Sequence, residues 1–226
     1  MKYEISTGLI YEKFGENVEC PLCEIKKTVE KGIVEQFLGD AVMEDHTREE
    51  VNELGFCVRH FDLLFNRPSK LGLALQMETR VKTLNKKLSE PKNYKQALKE
   101  VNKIEEQTKT CIVCKYLNEH MNRYYKTIAK MYDNEKDFRE LFAKNKGFCL
   151  EHYKELLRFS KYAGGKTKEY LELLFSLENQ SLSKIIGGIN WFCLKHDYRN
   201  QLKPMGEAEG VLERTRTKLF GDDKEI

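Results

Sequence analysis

The sequence predicts an all-α fold built from two repeated helical hairpins. Apolar residues recur every three or four positions along most of the chain, which is the spacing of one helix face. No segment shows the period-two alternation that is typical of strands. A CxxC motif followed by GFCxxH occurs twice. We therefore predict two hairpins, each stapled by a CxxC…GFCxxH zinc site and packed through the long helices that follow.

The two copies of this pattern have matching spacing. The motif CPLC begins at Cys20 and CIVC begins at Cys111, while GFCVRH begins at Gly55 and GFCLEH at Gly147. From the first cysteine of CxxC to the cysteine of GFC there are 37 positions in the first copy and 38 in the second. Such matched intervals indicate one structural unit used twice.

Each copy reads as an outgoing helix after CxxC and a return helix that ends at the glycine of GFC. In the first copy, Thr47 and Glu50 fit a capping box for the return helix, which is predicted to end at Leu54. Gly55 is then the expected C-terminal cap. If the return helix retraces the outgoing one, CxxC and CxxH meet at the same end of the hairpin.

Three cysteines and one histidine form a tetrahedral zinc set, so each repeat predicts one zinc ion and the chain two. The first predicted ligand set is Cys20, Cys23, Cys57 and His60, and the second is Cys111, Cys114, Cys149 and His152. An iron–sulfur cluster and redox use of the thiols remain alternatives. A third alternative is that the cysteines are ordinary buried residues, which leaves the duplicated pairs unexplained.

The repeat divides the chain into four segments. Residues 1–90 form the first Cys3His repeat, 91–109 a polar connecting helix, 110–190 the second repeat and 191–226 a C-terminal segment with one short helix ending at Gly221. Three apolar stripes are expected to be core. They comprise Leu71, Leu75, Val81, Leu84 and Leu88; Tyr94, Leu98, Val101 and Ile104; and Tyr170, Leu173, Leu174, Leu177, Ile185 and Ile186.

Composition narrows the classes of function. The chain has 39 basic and 36 acidic residues in 226, a net charge of +3, which is too small and too mixed to indicate a nucleic-acid binder. No apolar run resembles a signal peptide or a membrane span. We therefore expect a cytoplasmic protein that does not bind membranes, in a compartment where its seven cysteines stay reduced.

Two further stretches carry weaker signals. The segment WFCLKHDYRN repeats half of the motif with Cys193 and His196, and another chain, His46 or His120 could complete a third site. The simpler interpretation is that Trp191 and Tyr198 pack there and Cys193 has no special role. A second stretch places Arg123, Tyr124, Tyr125 and Lys126 near Lys130 and Tyr132, which is a weak nucleic-acid signal that a half-buried helix face also explains.

Five stretches resemble an uncharacterised bacterial family of helical proteins, DUF6062. They are CPLC, LGDAVMEDHTREEVNELGFCVRHFDLLF, RPSKLGLALQMETR, GFCLEHY and WFCLKHDYRN. The resemblance implies a cytoplasmic protein with paired Cys/His sites and no known activity. Some members of this family are labelled as substrate-binding proteins of ABC transporters, a label that the helical pattern does not favour.

The function predicted from these observations is a non-enzymatic scaffold. A closed four-ligand zinc site leaves no position for substrate or water, and such sites are usually structural. We therefore predict a zinc-stabilised module that binds an unknown protein partner. The alternatives are a thiol-based redox or zinc-responsive regulator and, more weakly, a nucleic-acid binder.

Overall fold

In the computed structural model, which describes residues 3–222 and the backbone alone of Asp40 and Ala41, the chain is all-α, as predicted. No strand occurs among these described residues. The helices are α1 (Gly8–Gly15), α2 (Pro21–Leu38), α3 (Asp45–Leu54), α4 (Val58–Phe65), α5 (Lys70–Lys87), α6 (Tyr94–Thr108), α7 (Ile112–Asn134), α8 (Lys136–Ala143), α9 (Leu150–Phe159), α10 (Thr167–Lys195) and α11 (Val211–Phe220). Short 3-10 segments lie at Asp40–Met43, Ser160–Lys166, Tyr198–Asn200 and Gly206–Ala208.

The helices are divided between two compact units. The first unit comprises the chain up to Lys27 together with the chain from Met121 onward, and the second is Thr28–His120. The boundary falls inside α2 and inside α7. The first unit therefore contains CPLC and GFCLEH, and the second contains GFCVRH and CIVC.

The first unit has an aromatic core. Phe142 lies at its centre, with its ring centroid 5.5 Å from those of Phe14 and Phe148 and 5.6 Å from those of Tyr132 and Tyr170. All five side chains are buried. Because Phe148 precedes Cys149 directly, this core fixes the backbone of the second GFC segment.

The second unit holds its GFC segment in a similar way. The ring of Phe56 makes an edge-on contact with Phe37 of α2 at 5.9 Å between centroids, and Phe37 also meets Tyr116 of α7 at 5.9 Å. The backbone N–H of Ile112 donates to the carbonyl oxygen of Gly55 at 3.0 Å. The first GFC segment is thus tied to the start of α7.

The glycine of each GFC segment adopts a positive φ, but only Gly55 has the predicted capping role. Gly55 follows the last residue of α3 with φ +62°, and its N–H donates to the carbonyl of Val51 at 2.9 Å. Gly147 has φ +113°. The predicted capping box at Thr47 is wrong, because α3 begins two residues earlier and the Thr47 hydroxyl donates to the side chain of Glu44 at 3.1 Å.

Two of the three predicted core stripes are exposed. Leu71, Val81 and Leu88 of the α5 stripe are 55–70% exposed, and α6 has no buried residue at all. The stripe on α10 is correct for Tyr170, Leu174, Leu177 and Ile185, whereas Ile186 lies outside. A helical period shows that one face is apolar, but it does not show that another element covers that face.

The short C-terminal helix is present as predicted and ends before Gly221, which has φ +79°. None of the helices between residues 3 and 222 combines the length and the apolar character needed to cross a membrane.

Candidate metal centres

The eight predicted ligands form two clusters, but the grouping differs from the prediction. The first cluster, here the Cys20 cluster, contains Cys20, Cys23, Cys149 and His152. The second, here the Cys57 cluster, contains Cys57, His60, Cys111 and Cys114. The expectation that each zinc set lies within one repeat is therefore wrong. Each CxxC meets the CxxH of the other repeat.

Helix length explains why each CxxC lies beside the CxxH of the other repeat. Helix α2 has 18 residues, about 27 Å, whereas the return helix α3 has 10 residues, about 15 Å. The return helix is too short to retrace α2, so His60 lies beside Glu30 in the middle of α2 instead of beside Cys20. Likewise α7 has 23 residues and α8 only 8, and the ring of His152 lies against Tyr125, well inside α7.

Each cluster forms where two helices begin. Cys57 is the N-cap residue of α4 and Cys149 that of α9, while Cys20 and Cys111 directly precede α2 and α7. In each CxxH, three positions separate cysteine and histidine, so the first helical turn brings both side chains to one side. Free amide groups and the helix dipole at such ends favour thiolates.

In the Cys57 cluster the three sulfur atoms surround Nδ1 of His60. This nitrogen lies 3.2 Å from Sγ of Cys57 and 3.3 Å from Sγ of Cys111 and of Cys114. Its other nitrogen, Nε2, lies 2.9 Å from a carboxylate oxygen of Glu30. With the Nε2 proton directed at Glu30, Nδ1 is left free for a metal ion.

Glu30 is also held by Arg59. Its side chain is buried, and its other carboxylate oxygen accepts from Nη2 of Arg59 at 2.8 Å. Burial by itself raises the pKa of Glu30, but the hydrogen bonds from His60 and Arg59 outweigh it and lower that pKa. The carboxylate therefore stays ionised and can orient His60.

The Cys20 cluster has the same ligand geometry, but no carboxylate among residues 3–222 forms a hydrogen bond with its histidine. Nδ1 of His152 lies 3.4 Å, 3.5 Å and 3.1 Å from the sulfur atoms of Cys20, Cys23 and Cys149. All four ligands are buried. The backbone N–H of Asp222 donates to Sγ of Cys23 at 3.4 Å, so the chain after α11 covers this cluster.

These distances fit a tetrahedral zinc ion. Bond lengths of about 2.3 Å to sulfur and about 2.0–2.1 Å to nitrogen place the sulfurs about 3.8 Å from one another and about 3.5 Å from the nitrogen. The sulfurs of Cys23 and Cys149 are 3.7 Å apart, and those of Cys57 and Cys114 are 4.0 Å apart. In both clusters all four ligand atoms lie within 4.8 Å of one another. Both sets therefore have the donors and the spacing that such an ion requires.

In each cluster the pKa of one cysteine is lowered. In the Cys57 cluster, hydrogen bonds from Cys114 and His60 lower the pKa of Cys111 to about 3, against the opposing effect of burial. The pKa of Cys114 is raised, chiefly by its hydrogen bond to that thiolate. Burial opposes protonation of His60, but hydrogen bonds with Cys111 and Glu30 prevail and raise its pKa to about 10.

In the Cys20 cluster, Cys149 is the cysteine whose pKa is lowered. Hydrogen bonds from Cys20 and Cys23 hold the pKa of Cys149 far below its usual range. Burial raises the pKa of Cys20, and the hydrogen bond to Cys149 raises that of Cys23 to about 12. A divalent ion would replace the protons that these thiols share, so binding would release protons.

A buried cation braces each GFC segment. Arg80 of α5 donates to the backbone carbonyls of Asn52 and, at 2.9 Å, of Glu53, and its guanidinium packs against Gly55. Lys218 of α11 donates to the carbonyl of Phe148 at 2.6 Å.

Lys218 also forms a buried ion pair with Glu178 of α10, with 3.0 Å between Nζ and Oε1. The second carboxylate oxygen of Glu178 accepts the backbone N–H of Phe148 at 3.4 Å. Phe148, the residue before Cys149, therefore has both its backbone N–H and its backbone carbonyl hydrogen-bonded.

Sequence reasoning missed Glu30, Arg80, Glu178 and Lys218 as supports of the clusters. One signal was available for Glu30, which is the charged member of an α2 face that it shares with Ile33, Val34 and Phe37. The other three reach the GFC segments from helices far along the chain, and spacing within the motif carries no information about them.

The third half-motif does not join a cluster in the described part of the chain. Cys193 is exposed, and the ring of His196 lies 5.4 Å from that of Phe192. Trp191 donates to the carbonyl of Pro204 at 3.1 Å, while Tyr198 is 80% exposed and does not pack as expected.

Two of the three tyrosines in the stretch with the weak nucleic-acid signal lie in the core. Tyr125 is buried against His152 and Phe159, and Tyr132 is buried against Phe142 and Tyr170. Lys126 forms an ion pair with Glu4. Stacking on bases needs exposed rings, which these two tyrosines do not offer.

Comparison with known proteins places the chain in a family. The model of a family of unknown function, DUF6062, matches residues 1–226, so the chain belongs to this family, as its motifs suggested. No curated protein and no solved structure matches the chain.

Proposed function

We propose that this member of the DUF6062 family binds two zinc ions, one in each cluster, as structural centres of a non-enzymatic interaction module. The observation that carries the proposal is that three sulfurs and one imidazole nitrogen lie within 4.8 Å of one another in each cluster. Three thiolates and a histidine are a common ligand set for structural zinc, and they fill all four positions. An ion held in this way has no open site for substrate.

The environment of the clusters supports a structural role. Each cluster joins the beginnings of two helices, α2 with α9 and α4 with α7, which are distant in sequence. Closing such long loops with a metal ion favours the folded chain, because the binding free energy is then part of the folding free energy. The buried cations at the GFC segments further fix the ligand-bearing backbone.

Elemental analysis tests the zinc proposal directly. Protein purified without chelator should contain about two zinc ions per chain, since each structural ion takes four protein ligands. X-ray absorption at the zinc edge should show three sulfurs at about 2.3 Å for each nitrogen at about 2.0–2.1 Å. Removal of zinc by a chelator should lower both helicity and the melting temperature. Iron with visible absorbance would indicate a cluster cofactor, and protein without metal would contradict the proposal.

One observation favours the regulator as a second candidate. Cys57 and Cys114 are only partly buried, whereas every ligand of the Cys20 cluster is buried. Hydrogen peroxide could oxidise two of these thiolates to a disulfide, with uptake of two protons from solvent, reduction of the peroxide to two water molecules and release of the zinc ion. Mild peroxide treatment should then release one zinc per chain while the helices persist, and a thiol reductant should restore binding. Slow release that accompanies loss of helix would support the structural role alone.

A further inference from the structure

Helices α5 and α6 of the second unit leave an apolar groove open between them. Its volume is about 240 Å³, and its apolar lining comes from Leu84, Leu88 and Ile104. Leu98 and Val101 continue the apolar face of α6 and are 46% and 47% exposed. Small-molecule pockets are commonly larger, about 300–1,000 Å³, and enclose their ligand. An open groove of this size suits side chains that project from another element.

Polar contacts hold α6 beside α5 and leave the apolar face uncovered. Arg80 of α5 donates to the side chain of Gln107 at 3.0 Å and to its carbonyl oxygen at 2.9 Å. The Ser89 hydroxyl donates to Glu100 of α6 at 2.6 Å. A helix of 15 residues is marginal on its own in water, and most helices gain stability by burying their apolar stripe. These polar contacts therefore hold α6 in a position where its apolar stripe is exposed and can contact another element.

The segment that forms the groove carries a net positive charge. Residues 70–109 contain ten basic and five acidic residues, a net charge of +5, although the whole chain carries only +3. Three of the acidic residues, Glu78, Glu100 and Glu105, already pair with lysines of their own helix. Lys87 lies on the rim, and among the described residues it has no carboxylate partner. Acidic groups on an incoming partner would find unpaired lysines here.

We propose that the groove between α5 and α6 binds an acidic amphipathic helix of a partner protein. Leucine-like side chains at helical spacing would fill the space above Leu84, Leu88 and Ile104, and flanking carboxylates would pair with Lys87 and its neighbours. A second copy of this chain is a poor occupant, since two-fold pairing of the same face brings like charges together. A flat lipid surface does not fill a groove between two helices. This inference rests on the proposed interaction module and names its binding surface.

The test uses a labelled synthetic peptide as the probe. A peptide of about 20 residues with leucines at positions i, i+3 and i+7 and glutamates on both flanks should bind zinc-loaded protein in a fluorescence anisotropy titration. The same peptide with lysines in place of the glutamates should bind at least tenfold more weakly. The variant Lys87→Glu should abolish this preference for the acidic peptide, which a merely hydrophobic contact would not do.

Groove variants complete the test. Leu84→Glu and Leu88→Glu should each weaken binding at least tenfold, while Leu202→Glu, at a fully exposed site in the other unit, should not. Leu88 is 55% exposed, so its variant should fold normally, which helicity and zinc content will check. Absence of binding, equal binding of both peptides, binding to phosphatidylserine vesicles through these residues, or self-association that Leu84→Glu abolishes would each overturn the groove proposal. Zinc content measured on the same samples separates these outcomes from failure of the zinc proposal.

Discussion

At the scale of single residues, the two clusters differ in what holds their histidines. His60 donates through Nε2 to the buried Glu30, whereas His152 packs against the ring of Tyr125. A carboxylate behind a metal-bound histidine fixes the ring and raises its basicity as a ligand. The Cys57 cluster therefore has an added support that compensates for the partial exposure of two of its cysteines.

Glu30→Gln should weaken zinc binding in the Cys57 cluster about 10- to 100-fold, because the neutral amide orients His60 less strongly. Competition with a chelator should show one of the two zinc ions leaving more easily, while the other is unchanged. Glu155→Gln is the matched control, since Glu155 is a buried carboxylate that pairs with Arg158 and makes no hydrogen bond to a ligand within the described structure. Equal weakening in both variants would mean that Glu30 acts only through general stability.

The sequence predicted all eight clustered residues, because CxxC and CxxH restrict cysteine and histidine to one turn of a helix. It also predicted the positive φ of Gly55, since a glycine directly after an apolar helix end commonly serves as a cap. Neither signal depends on contacts between distant parts of the chain. Glu30 could have been found as a carboxylate on an apolar face, whereas Arg80 and Lys218 could not.

At the scale of helices, each GFC segment needs support from a helix that follows it. The turn exposes backbone carbonyls beside a cluster, and a buried cation satisfies them: Arg80 in the second unit and Lys218 in the first. Buried charges require partners, and Glu178 supplies one for Lys218. The C-terminal helix α11 is therefore part of the structural support for Cys149.

Lys218→Met should destabilise the first unit by about 3–5 kcal/mol, because it leaves the buried Glu178 carboxylate and the Phe148 carbonyl without their donor. Urea unfolding of zinc-loaded protein, monitored by helicity, measures this loss. Arg216→Met is the matched control, since Arg216 is an exposed residue of the same helix. Similar midpoints for the two variants would show that the buried ion pair contributes little.

The exposed stripes on α5 and α6 show that helical periodicity does not predict whether an apolar face is covered. Tyr170 and Leu174 on α10 are buried, but Val81 on α5 and Val101 on α6 are not, although all belong to stripes with helical spacing. Spacing identifies an apolar face, and only the positions of other elements decide whether the face is covered. On α5 and α6 the uncovered faces are the basis of the proposed groove.

At the scale of the whole molecule, the order of the motifs along the chain differs from their grouping in space. The chain passes from one cluster to the other through α2 and back through α7, so each unit takes its ligands from two separate parts of the sequence. Matched spacing predicted two sites but could not decide which CxxC belongs with which CxxH. Helix lengths decide it, because both return helices are much shorter than the helices they follow.

Two double variants distinguish the two groupings by zinc content. Cys23 and Cys149 belong to one cluster in the structure, so Cys23→Ser with Cys149→Ser should remove one zinc and leave about one per chain. Cys23→Ser with Cys57→Ser affects both clusters and should leave almost none. Pairing within the repeats predicts the reverse, with loss of both ions in the first variant and of one in the second. Elemental analysis therefore separates the alternatives even if each single cysteine variant loses one ion.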